Sequence, residues 1–241
     1  MTQTNIILIA DPKILAITIK DNAEPMVDLR DQTKILIGPS PEIPNNTDYT
    51  KMRKTVYEKL LEAQSLLNDG MFFCLYEAYR SLALQKTLFD HRFKIVQSHH
   101  TNWTNDEIFE ETTKMVSPVV NKDGSKNIPP HSTGAAVDVY LINKNGEPLD
   151  MGIHPKDWME DENDLLSLTD SKNISAVAQT NRQIMSNALT QVGFVNYPTE
   201  YWHWSYGDRY WAYHKHQSHA IYGSVTSRLE KDLKLKAIAK S

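Results

Sequence analysis

Two histidines and two acids in the second half of the chain have the types and spacing to do chemistry. His131 and Asp138 lie in the stretch "IPPHSTGAAVDVYLINKNGEP", and Glu200 precedes His203 in "TEYWHW". Val137, Val139 and Leu141 are apolar on one face of an expected strand, while Tyr140 and Ile142 follow Asp138 on the other, so neither face reads as the wet side of a sheet. An ionised carboxylate there must be paired, hydrogen-bonded or metal-bound, because burying it alone is costly or forces it to take a proton. Gly134, in the intervening "STG", offers a turn that brings His131 back toward Asp138. Two imidazoles and a carboxylate make three protein ligands for a catalytic zinc, with the fourth tetrahedral position left for water. Glu200 is then the spare acid: it would accept a proton from water acidified by the metal and later deliver it to a leaving amine, as hydrolysis requires. Positions three apart face opposite ways on a regular strand. Glu200, following Pro198 and Thr199, is therefore placed at an irregular strand start.

The elements that must position these groups can be traced along the chain. Apolar residues from Met52 to Leu67 follow helical spacing over Thr50 to Asp69, with Gly70 as the stop, and "MFFCLYEAYR" reads as a strand. Ser81 can cap a helix carrying Leu84, Leu88, Phe93 and Val96, and Thr104 with Glu107 forms a capping-box pattern for another through about Met115. Asn145-Gly146 suits a tight turn, Ser175 to Gln191 is amphipathic and stops at Gly193, and "FVNYPTEYWHWSYGDRYW" reads as extended. "GPSPEIPNNTDYT" reads as a long surface loop. With no regular alternation of strand and helix and no internal boundary, the expectation is one α+β domain spanning residues 1–241.

Composition narrows the function classes. A net charge of −4 gives no basic footprint for nucleic acid, and no run of residues approaches the length of a membrane span. The short apolar N-terminal run lacks a preceding basic residue, which argues against a secretory signal and for a cytoplasmic protein. Cys74 stands alone in an apolar run and reads as a small buried hydrophobe. His214, His216 and His219 have no carboxylate in register, and the aromatics around Trp202 and Trp204 read as packing residues.

The residues His131-Ser-Thr-Gly134-Ala-Ala136-Val-Asp138 and Glu200-Tyr-Trp202-His203 resemble the motifs H-x-x-G-x-A-x-D and E-x-W-H of the D-alanyl-D-alanine dipeptidases, a family of zinc D,D-peptidases. The likeness runs from about Asp28 to the end of "EYWHW". It implies an α+β fold of the Hedgehog/D,D-peptidase type, in which a small antiparallel sheet carries the zinc ligands and helices pack against it. It further implies one Zn2+ per chain on His131, Asp138 and His203, Glu200 as general base and acid, and the dipeptide D-Ala-D-Ala as substrate. "YEAYRS" resembles the family's Tyr-Arg-Pro, making Arg80 the stabiliser of the oxyanion, and "DMG" before Asp157 resembles the segment whose aspartate binds the substrate's amino group. Ser81 stands where the family usually has Pro, and Pro129 where it often has Ser.

Other readings stay open at this point. Arg80 could serve as the structural partner of Glu77, and Asp157 as a solvated charge in "KDWMEDEND". A zinc D,D-carboxypeptidase acting on longer peptidoglycan peptides would use the same centre. A two-His, one-carboxylate set also suits a non-haem iron oxygenase, although the usual H-x-D spacing is missing and Glu200 has no part there. A non-catalytic zinc module is disfavoured, because structural zinc sites are usually closed by four protein ligands.

Overall fold

The extended stretches pair into two sheets in the computed structural model, which describes residues 6–41, 43–161 and 163–225. Strands β1 (Met26–Asp28) and β3 (Lys51–Arg53) make an antiparallel ribbon. A five-stranded sheet has the order β2-β4-β5-β7-β6, built from β2 (Leu36–Ile37), β4 (Met71–Glu77), β5 (Ala136–Asn143), β6 (Val195–Tyr197) and β7 (Glu200–Ser205). The pairings β4-β5, β5-β7 and β7-β6 are antiparallel, and β2 joins β4 in parallel at the edge. Six helices accompany the sheets among the described residues: α1 (Pro12–Leu15), α2 (Lys54–Gln64), α3 (Leu82–His99), α4 (Asn105–Thr112), α5 (Ala176–Gln191) and α6 (Arg209–His214). The class is α+β.

The central strand β5 is apolar on both faces because both faces are covered. Val137, Val139 and Leu141 join Val56 and Leu60 of α2 and Met185 and Leu189 of α5 in the main core. Each such side chain contributes about 1.5–3 kcal/mol by leaving water. On the opposite parity, Tyr140 and Ile142 cluster with Cys74 and Tyr76 of β4, and Asp138 continues that row.

The helix starts follow their capping chemistry. Ser81 accepts from the Leu84 amide at 3.2 Å and opens α3, so its hydroxyl supplies the expected cap. Thr104 and Glu107 close a reciprocal capping box on α4, and Ser175 caps α5. Helix α2 begins later than the apolar spacing suggests, because Lys51–Arg53 pair with β1 instead. "DRYW", expected to be extended, lies in a helical turn: Gly207 takes φ +93°, and Asp208 accepts from the Trp211 amide at 2.8 Å to start α6. Local capping here overrides the aromatic, strand-like composition. No described helix is long and apolar enough to cross a membrane.

Arg182 of α5 holds the segment between β5 and α5 in place. Its guanidinium is 1% exposed and donates to the backbone carbonyls of Met151, Leu166 and Leu168 while lying 3.9 Å from the Tyr201 ring centroid. Burial lowers its pKa to about 10.

Candidate active site

Three elements bring the metal-ligand candidates together. Pro130–Thr133 form a single 3-10 turn that presents His131, and Gly134 ends it with φ +71°. A side chain at Gly134 would also collide with Met26, whose sulfur lies 2.6 Å from the position of an added Cβ. Asp138 and His203 are directly opposed partners on β5 and β7, and Glu77 at the end of β4 faces Asp138 from the other side. All four side chains are buried.

The geometry fixes how one imidazole is turned. His131 Nδ1 lies 2.6 Å from the Ala78 carbonyl oxygen, which can only accept, so Nδ1 carries a proton and donates it there. His131 Nε2 is 3.1 Å from His203 Nδ1 and 3.3 Å from Asp138 Oδ2, while His203 Nδ1 is 3.0 Å from Asp138 Oδ1. One ligand atom from each residue falls within a 4.8 Å group. Burial alone would raise the Asp138 carboxyl, but His131 and His203 outweigh it and hold the pKa below the ordinary carboxylate range. Burial lowers the His203 pKa against the opposing pull of Asp138. Two imidazoles and a carboxylate converging on one point are the ligand types of a zinc centre, so the residues fit the metal.

Glu200 stands beside this centre at the start of β7. The strand pairs with β5 only as far as His203, and a register shift separates the β6-β7 pairing at Asn196 from that at Tyr197. Asn196 bridges the irregular stretch by donating to the carbonyls of Glu200 and His203 at 3.1 and 3.0 Å. Strict alternation is thereby suspended, and Glu200, Trp202 and His203 line the same cleft. Burial, followed by the Asp138 charge, pushes the Glu200 carboxyl well above its ordinary range; Arg80 opposes this, and Trp202 Nε1 donates to Oε2 at 3.0 Å.

Arg80 lines the cleft as well, and it is also the partner of Glu77, so both sequence readings of this residue coexist. Its Nε donates to Glu77 Oε1 at 3.0 Å, a second nitrogen binds Oε2, and Nη1 donates to Gln85 Oε1 at 3.0 Å. The guanidinium is thus aimed by a buried acid and by the first turns of α3.

Polar groups and residues such as Met115, Tyr197 and Trp202 line the cleft together. Pro155 and Trp158, from the turn Pro155–Glu160, also line it. Asp157 belongs to that turn and is partly exposed, but it is not among the lining residues. Pro129 is a lining residue, and the buried Cys74 lies on the sheet away from the metal-ligand group. Gln85 and Asn196 are supporting residues whose site roles the sequence reading missed, while Glu77 is the partner of Arg80 that it named. The Glu77/Arg80 spacing was the one available signal, whereas Gln85 and Asn196 depend on contacts between separate elements.

A family model described as D-ala-D-ala dipeptidase matches residues 45–221. A curated D-alanyl-D-alanine dipeptidase from Synechocystis sp. is 27% identical over 246 residues, covering 88% of this chain and 96% of the relative. Among solved structures, VanYB in complex with D-Alanine-D-Alanine is similar with a TM-score of 0.40 and 14% identity, covering 85% of this chain and 93% of that one. The LdcB LD-carboxypeptidase matches with a TM-score of 0.38 and 15% identity, covering 78% and 71%.

Proposed function

Because the chain belongs to the D-Ala-D-Ala dipeptidase family of metallopeptidases, we propose that it hydrolyses the free dipeptide D-Ala-D-Ala to two D-alanines. His131, Asp138 and His203 would hold a single zinc ion. When bound, zinc supplies a Lewis acid for the scissile carbonyl and brings the pKa of its water to about 7.

The chain's own residues do the rest. Glu200 takes a proton from the attacking water at its carboxylate and passes it to the departing amine, a task suited to a carboxyl whose pKa burial has raised. The Trp202 indole holds one oxygen of that carboxylate, leaving the other for the proton. Arg80, aimed by Glu77 and Gln85, offers positive charge where the carbonyl oxygen becomes negative, and the paired acid keeps the side chain from swinging away. Asp157 is assigned to the substrate's ammonium group, on the ground that its turn supplies Pro155 and Trp158 to the cleft wall.

The observation that carries this reading is the convergence of three metal-ligand atoms beside a buried spare acid in one cleft. The test is D-alanine release by zinc-loaded protein from D-Ala-D-Ala, L-Ala-L-Ala and a pentapeptide ending in D-Ala-D-Ala. Release from the D,D-dipeptide alone is expected. Cleavage of the pentapeptide alone would make the protein a carboxypeptidase.

A further inference from the structure

One piece of the cleft wall comes from outside the residues that match the family: Ile9 lines the cleft, is 7% exposed, and precedes the matched stretch 45–221. Ile9 packs with Ile14, Tyr197 and Tyr210 in a small apolar cluster of its own. The ring of Tyr197 lies 5.9 Å from that of His203, so this cluster sits next to the metal centre.

The segment carrying Ile9 is tied down on both sides. Before it, the Tyr210 hydroxyl donates to the Ile7 carbonyl at 3.2 Å. After it, the Asp11 amide donates to the Leu8 carbonyl at 2.9 Å, and the Asp11 side chain caps α1. Farther on, the Lys20 amide donates to the Ala220 carbonyl and the Ala220 amide to the Thr18 carbonyl, each at 2.9 Å, and the Asn22 amide donates to the Ile221 carbonyl at 3.0 Å. A β-branched side chain on a backbone so held has few rotamers into which it can retreat.

Tyr197 is fixed from another direction, since its hydroxyl donates to the Lys114 carbonyl at 2.9 Å. The apolar wall beside His203 is therefore anchored from two directions. A peptide ending in D-Ala-D-Ala differs from the free dipeptide only by what is attached at its amino end, and that attachment needs a way out of the cleft.

We propose that Ile9 is a specificity-determining residue: with Tyr197 it closes the apolar side of the cleft next to His203, so that a dipeptide fits and a longer peptide does not. This rests on the D,D-dipeptidase reading above.

The experiment compares zinc-loaded wild type, Ile9→Val, Ile9→Ala and Leu8→Ala on D-Ala-D-Ala and on a pentapeptide ending in D-Ala-D-Ala. Leu8 packs on the same cluster without lining the cleft, so its truncation loosens the segment and leaves the wall. Circular dichroism melts establish that each variant is folded. The ratio of kcat/KM for pentapeptide over dipeptide should rise about tenfold or more in Ile9→Ala, less in Ile9→Val, and stay level in Leu8→Ala. An unchanged ratio in a folded Ile9→Ala would overturn the proposal, as would an equal rise in Leu8→Ala or a wild type that takes the pentapeptide as readily as the dipeptide. If wild type releases nothing from either peptide, the dipeptidase reading fails. The same ratio is then read as binding, through the fluorescence of Trp158 and Trp202 in the cleft wall, and Ile9→Ala must still gain affinity for the longer peptide.

Discussion

Glu200→Gln separates a catalytic acid from a structural one. The side chain is 8% exposed, and burial and Asp138 raise its pKa well above 4.5 in the metal-free protein. A carboxyl whose folded pKa lies above its unfolded value stabilises the fold fully below the unfolded pKa, and that contribution is lost as pH rises through the folded pKa. Between the two values the loss runs at up to about 1.4 kcal/mol per pH unit. Glutamine has nearly the same shape, can accept from Trp202 Nε1 in the same place, and does not titrate. Metal-free Glu200→Gln should therefore gain stability relative to wild type as pH rises above the ordinary glutamate range, measured by urea unfolding at each pH. Zinc content should stay at one per chain, since Glu200 is outside the ligand group. Turnover of D-Ala-D-Ala should fall by about 10²–10⁴, the usual contribution of a general acid or base. A variant with near-wild-type turnover, or one that loses stability relative to wild type with rising pH, would refute the reasoning.

His203→Ala should lose zinc as read by elemental analysis, because it removes one of three ligands together with the 3.0 Å contact to Asp138. Arg80→Ala should retain zinc and lower kcat by about 10²–10³; Glu77→Gln, which leaves Arg80 in place without its acid, should lower kcat by a smaller factor in the same steady-state assay. Arg182→Met strands the carbonyls of Met151, Leu166 and Leu168, and should cost about 3 kcal/mol, or roughly 6–12 °C in Tm by calorimetry. In wild type the acidic limb of kcat/KM should lie above the ordinary glutamate range, since a raised Glu200 must lose its proton before it can act as base, and that limb should vanish in Glu200→Gln's residual activity.

Much of the site was legible because its chemistry conflicts with its surroundings. Asp138 on an apolar strand required a partner, and the structure supplies two imidazoles, one delivered by the Gly134 turn and one from the directly opposed position on β7. The caps at Ser81, Thr104 and Ser175 were legible for a similar reason: each is a local hydrogen bond encoded within a few residues. What sequence could not show depends on elements far apart in the chain. The β1-β3 ribbon takes Lys51–Arg53 out of the expected helix through pairing with residues more than twenty positions earlier, and Arg182 clamps carbonyls that no spacing rule connects to it. Glu200 was correctly placed at an irregular strand start, but the means, Asn196 bridging two carbonyls across a register shift, is a tertiary detail.

The most direct test of the central claim is D-alanine release from D-Ala-D-Ala as zinc is titrated into metal-free protein. Activity should climb linearly and break at one zinc per chain, with two D-alanines formed for each dipeptide consumed. No release at a full equivalent of bound zinc, or equal release before any metal is added, would contradict it.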